Sequence, residues 1–143
     1  MPKDQVDLII EKVKLFHGLG PDDVRKIFGR GLTMNVRKGD VVFYKDTEGD
    51  QMYVVLGGMI GVYHNKEVIA KLRTGEMFGE MALVTSDKRS VTVIAMEDSH
   101  LFILKEDTFE KLMTKRVAVR MLLNMVKTLS QRLKESNVRK VSS

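Results

Sequence analysis

Apolar residues recur along this chain with two different periods, and the changes of period divide it into three parts. Val6, Ile9, Ile10, Val13 and Phe16 fall at helical spacing, which predicts an amphipathic helix over 4–16. Gly18 and Gly20 end it. Pro21, followed by Asp22 and Asp23, predicts a second short helix, because proline suits the first helical position and acids suit the positive end of the helix dipole. From Gly31 the period falls to two. Val41 and Phe43 alternate with Val42 and Tyr44. Met52, Val54 and Leu56 share one face, and Tyr53 and Val55 share the other. Ile60 with Val62, then Val68, Ala70 and Leu72, then Val91, Val93 and Ala95 continue the pattern, and 101–104 is continuously apolar. Turn-forming stretches at 37–40, 48–50, 57–58, 64–67 and 74–76 separate these runs, so the middle reads as many short strands closed into a sandwich, roll or barrel.

All eleven glycines lie between Gly18 and Gly79, and the last third returns to helical spacing over 106–114 and 116–137. Val119, Leu122, Val126, Leu129 and Leu133 follow one another at steps of three and four. Such a seam predicts a homodimer through residues 119–133, although the same stripe also serves a helix that simply packs on the roll.

Length and charge narrow the classes. The 143 residues suit one domain, 1–143, with N-terminal helices over 1–30, the β-region over 31–105 and C-terminal helices over 106–143. No cysteine is present, which excludes disulfides and zinc–thiolate sites and fits a reducing cytosol. The N-terminus lacks a signal-like apolar core, and no apolar run approaches the ~20 residues of a membrane span, so the expectation is a soluble, cytoplasmic protein with no membrane partner. The net charge of +5 is uneven, with −3 over Met1–Glu110 and +8 from Lys111 onward. A solvated helix face accounts for that basic tail. Nucleic acid is the less favoured partner, since no room for a helix-turn-helix follows before Ser143. His17, His64 and His100 show no ligand spacing, so no metal site is expected. No nucleophile with a base, nucleophile elbow or Walker pattern occurs, so no enzyme is expected.

The segment from Phe78 to Ser90 carries the candidate chemistry. Gly75 and Gly79 allow tight turns and close approach to a ligand. Glu80-Met81-Ala82-Leu83 are good helix formers, and a helix start offers free N–H groups to an anion. Arg89 adds a permanent cation with a fork that matches phosphate oxygens, and Ser90 adds a hydroxyl. Ionised Glu80 only accepts hydrogen bonds, so it suits a hydroxyl and repels phosphate. A ribose phosphate satisfies both requirements. From composition alone, an exposed Glu80–Arg89 ion pair accounts for the same residues equally well.

The run Phe78-Gly79-Glu80-Met81-Ala82-Leu83, followed by Arg89-Ser90, resembles the phosphate-binding cassette of the cyclic-nucleotide-binding domain family. That family includes catabolite activator proteins, regulatory subunits of cAMP-dependent kinase and cyclic-nucleotide-gated channels. Lys14-Leu15-Phe16 with Gly18-Leu19 is similar to its N-terminal entry. Gly39, Gly49-Asp50 and the stretch from Tyr53 to Gly58 are similar to its β-roll. The resemblance implies a mostly β fold with flanking helices: a double-stranded β-helix, or jelly-roll-like β-roll, with N-terminal helices and a long C-terminal helix. It implies a ligand site of Gly79, Glu80, Met81, Ala82, Arg89 and Ser90. Glu80 would take the ribose 2′-hydroxyl, Arg89 the cyclic phosphate together with N–H groups near Ala82 and Ser90, and Leu83 would link the cassette to the helices. The implied ligand is cAMP, or cGMP, with no other cofactor, and the implied role is a sensor relaying to an unknown effector protein. Ser136 and Asn137 would meet the base, at the expense of a two-residue insertion; the alternative is two exposed polar residues at a fraying helix end. Lys88 and Val91 depart from the proline and alanine usual in the family. A bulkier Val91 beside the ligand leaves open a degenerate fold that dimerises without binding.

Overall fold

The structure is a computed structural model, and it describes residues 11–85, 87–112 and 115–142. Its strands are β1 (Leu32–Val36), β2 (Val41–Phe43), β3 (Gln51–Gly57), β4 (Met59–His64), β5 (Glu67–Arg73), β6 (Met77–Phe78), β7 (Thr92–Ala95) and β8 (Ser99–Lys105). They form two antiparallel four-stranded sheets, β1-β8-β3-β6 and β2-β7-β4-β5. The helices are α1 (Pro21–Arg30), α2 (Glu106–Leu112) and the long α3 (Arg116–Ser142). The molecule is thus a β-roll flanked by helices.

The alternation in β3 and β8 builds two cores at once. Tyr53, Val55, Leu101 and Ile103 face the second sheet, where Ile60, Leu72, Val93 and Ala95 meet them. Met52, Val54, Phe102 and Leu104 face the other way and pack with Phe16, Val24 and Ile27 and with Met121 and Met125 of α3. With both faces covered, these strands read as unbroken apolar runs. The first sheet is therefore the middle layer between helices and second sheet.

Expected and observed elements differ in four places. Most of the helix predicted over 4–16 lies outside the described residues; Glu11 and Lys12 are helical, but Val13 is extended and Lys14–Phe16 form a 3-10 turn. Tertiary contacts explain the break. The Lys14 N–H donates to the Gly75 carbonyl at 3.1 Å, and Val13, Leu15 and Phe16 are all buried, which one helical stripe does not allow. Two strands, β1 and the two-residue β6, were not anticipated: β1 is an edge strand with Leu32 and Thr33 exposed, so its alternation is weak. The helix predicted over 106–114 is α2, described to Leu112, and the one predicted over 116–137 runs on to Ser142. The seam on α3 is also redrawn. Leu122 packs against the helix-side core, and Leu123 joins Val119, Val126, Leu129 and Leu133 on the exposed side.

A buried polar residue ties α3 to the N-terminal segment. Asn124 is buried, and its amide donates to the Leu15 carbonyl at 2.7 Å and the His17 carbonyl at 2.9 Å. Asn124→Ala strips the donor from both carbonyls, at about 1–3 kcal/mol for each acceptor left unpaired. The urea midpoint should fall accordingly with an unchanged slope; an unmoved midpoint would show that Asn124 does not hold α3.

Candidate functional site

β6 runs directly into Gly79, which has φ +73° and turns the chain into a 3-10 helix, Glu80–Leu83. That left-handed backbone suits glycine and strains any residue with a Cβ. Beside this turn lies a cavity of about 410 Å³. Gly79, Glu80, Met81, Ala82, Arg89 and Ser90 all line it, so six of the eight expected site residues converge on one space. Phe43, Val62, Ala70, Leu72, Val91 and Val93 supply an apolar wall. Val91 does stand in the lining, as its position beside the cassette suggested. Leu83 points away and joins the core cluster that contains Phe109, Met121 and Met125, which ties the cassette to α2 and α3.

Arg89 is only 7% exposed. Its Nη1 donates to the Gly79 carbonyl at 3.1 Å and its Nη2 to the Gln51 carbonyl at 2.7 Å. The guanidinium lies over the Phe43 ring, 4.1 Å from its centroid, and 5.9 Å from that of Tyr53. Tyr53 in turn stacks on Phe78 at 4.8 Å. Two glycines make room for this cation: a Cβ on Gly49 would overlap Nε, and one on Gly79 would press on Nη1. Nε is buried with no hydrogen-bond partner. Burial pulls the guanidinium below its ordinary pKa, against the weaker opposing pull of Tyr53, Asp50 and Glu80. Arginine does not deprotonate in proteins, so the desolvated cation stays charged and is short of a counter-anion.

Glu80 does not pair with Arg89. Its side chain is 7% exposed, and Oε1 accepts from Arg132 Nη1 of α3 at 2.9 Å, while Arg132 Nη2 donates to the Met77 carbonyl at 2.6 Å. The exposed Glu80–Arg89 pair is thereby replaced by a half-buried Glu80–Arg132 pair. Of the N–H groups expected to meet a phosphate, that of Ala82 donates to the Gly79 carbonyl at 3.2 Å and is engaged in the turn. Ser136 and Asn137 are absent from the cavity wall, Ser136 half-buried and Asn137 exposed. The α3 residue that lines the cavity is Arg132, about one turn earlier.

Sequence reasoning missed Arg132, and it missed the aromatic bed of Phe43, Tyr53 and Phe78. Arg132 lies 52 residues from Glu80, so no local spacing marks the pair. The glycines at 49 and 79 are the visible traces of the Arg89 seat.

The sequence model of the cyclic nucleotide-binding domain matches residues 33–116. The cyclic AMP receptor protein of Thermus thermophilus is 29% identical over 129 residues, which are 87% of this chain and 59% of that protein. The cAMP-dependent protein kinase regulatory subunit of Hypocrea atroviridis is 27% identical over 104 residues, 73% of this chain and 22% of that protein. This chain thus spans well under two thirds of either relative. The crystal structure of Thermus thermophilus catabolite activator protein superposes with a TM-score of 0.78 at 29% identity, covering 88% of this chain and 61% of that one. On its cassette, its roll and these likenesses, the chain belongs to the cyclic-nucleotide-binding domain family.

Proposed function

We propose that this chain binds a cyclic mononucleotide, cAMP in preference to cGMP, in the cavity beside Glu80–Leu83 and relays binding through α2 and α3 to an effector protein. One observation carries the reading: a buried guanidinium short of a counter-anion, Arg89, stands in the same cavity as a buried carboxylate, Glu80. A cyclic phosphate is the anion Arg89 lacks, and the adjoining ribose hydroxyl is a donor that Glu80 accepts. The apolar wall from Phe43 to Val93 suits a flat base. The names of the two relatives, a cyclic AMP receptor and a cAMP-dependent kinase subunit, support cAMP as the first ligand to test. The role is regulatory rather than catalytic, in the cytoplasm. Among the described residues no helix is long and apolar enough to cross a membrane.

The exposed stripe on α3 supports a homodimer. Val119, Leu123, Val126 and Leu133 are 50%, 46%, 55% and 63% exposed, an apolar row that a second copy of the helix would cover. A second reading, a dimerising fold that has lost its ligand, is favoured by Val91 in the cavity wall and by the occupation of Glu80 by Arg132.

Three outcomes are expected. First, cAMP at about 100 times its dissociation constant should add about 2.7 kcal/mol of stability, read as a melting shift. No shift with millimolar cAMP or cGMP would favour the ligand-free reading. Second, Val126→Glu with Leu129→Glu should convert a dimer to a monomer in sedimentation; a wild-type monomer at high concentration refutes the stripe as an interface. Third, Arg89→Ala should weaken cAMP about a hundredfold or more, from charge-assisted bonds of about 1.5–3 kcal/mol each. Glu80→Gln should instead weaken cAMP while barely changing its 2′-deoxy analogue. Calorimetry with both ligands reads the two variants as a cycle. Equal losses for both ligands on Glu80→Gln would remove Glu80 from the ribose.

A further inference from the structure

From the lining of a slot beneath α3 we infer a second binding site, suited to a small amphiphilic carboxylate: an anionic head on a short apolar body. It goes beyond the cyclic-nucleotide reading and does not depend on it. The slot has a volume of about 700 Å³ and is lined chiefly by β5 and α3. α3 is tied down at both ends of it. Asn124 donates to the Leu15 and His17 carbonyls at one end, and Arg132 donates to the Met77 carbonyl at the other. These ties lie about 12 Å apart along the helix, at about 1.5 Å per residue. Lys127, Thr128 and Gln131 stand between them and face the slot. Its length suits a small molecule rather than a folded partner.

The lining divides by chemistry. β5 is the outer strand of its sheet, paired with β4 alone, and its Ile69, Ala70 and Leu72 give the slot an apolar side. Ile69 is 46% exposed, so part of that side is open to water. Four cations of the lining surround it. Two of them have carboxylates: Lys14 pairs with Glu76 at 4.0 Å and Arg132 with Glu80 at 2.9 Å. Glu135, also in the lining, accepts from Gln131 at 3.3 Å. The other two cations, Lys71 on β5 and Lys127 on α3, have no carboxylate within 4.0 Å among the described residues. Two ammonium groups reach in from the two walls, beside apolar surface that nothing covers. A carboxylate satisfies the first and a short alkyl or aromatic body covers the second. A bare inorganic anion would leave the apolar side wet, and a neutral apolar molecule would gain nothing from the lysines.

The probe is octanoate, titrated into the full chain and followed through the NMR shifts of backbone amides. Octanol and acetate serve as arms that carry the tail alone and the head alone. Octanoate should shift the amides of Ile69, Lys71, Thr128 and Gln131 saturably, and bind roughly tenfold more tightly than octanol or acetate. That factor is the worth of two partly exposed ion pairs together. Lys71→Met with Lys127→Met keeps the apolar stems and removes both charges. It should cost octanoate about the same tenfold and leave octanol unchanged. Lys71→Gln with Lys127→Gln replaces this pair if the methionines abolish the thermal transition. The first cavity also holds a cation and an apolar wall, so it is the rival seat for a carboxylate. Octanoate shifts that centre on 79–90, vanish with Arg89→Ala and survive loss of the two lysines overturn the inference. Equal responses to octanoate and octanol overturn it too, since they reduce the contact to apolar adsorption. So does the absence of any saturable shift at millimolar octanoate. None of these outcomes bears on whether cAMP binds, which the melting shift and the Arg89 variant decide separately.

Discussion

A guanidinium buried on an aromatic ring, with carbonyl oxygens but no carboxylate against it, organises this end of the molecule. Arg89 is charged at any pH the fold survives, so its desolvation cannot be relieved by losing a proton. The surroundings are arranged to tolerate it. Phe43 offers a ring face, the carbonyls of Gln51 and Gly79 accept from both terminal nitrogens, and Gly49 and Gly79 withhold side chains that would collide with it. Remove the cation and the glycines, the left-handed turn at Gly79 and the aromatic stack lose their common reason.

Glu80, nine residues away in the chain, makes the complementary demand. Two buried ions of opposite sign line one cavity without pairing with each other, because each is engaged elsewhere: Arg89 by the carbonyls of Gly79 and of Gln51 at the start of β3, and Glu80 by Arg132 of α3. A direct Glu80–Arg89 pair would neutralise both and leave nothing for a ligand. Keeping them apart leaves a buried cation and a buried acceptor side by side, the pattern that the proposed ribose phosphate calls for.

Much of the fold was legible because its signals are local. The two-residue alternation in 52–55 and 101–104 and the turn chemistry at the glycines gave the roll, and the run without Gly or Pro after 116 gave α3. The cassette was legible for the same reason: Gly79, Glu80 and Arg89 lie within eleven residues. What stayed hidden depends on contacts between distant segments. The Gly75 carbonyl diverts the chain at Val13, an exposed edge position masks β1, and the rotation of α3 about its axis sends Leu122 inward and Leu123 outward. Arg132 belongs with these. On α3 it looks like any solvated cation, and only the packing of the helix over the roll gives it a partner.

The double burial of β3 has a mechanical consequence. Tyr53 stands beside the Arg89 seat, and Val54, the next residue, stands among the side chains that hold α3. Cavity side and helix side are separated here by the thickness of a single extended backbone. A sideways shift of the aromatic bed moves a peptide group whose other face is already the floor of the helical layer. Close-packed interiors are stiff, so such a displacement is passed on rather than absorbed. The middle sheet thus acts as a diaphragm, felt on both sides when pressed on one.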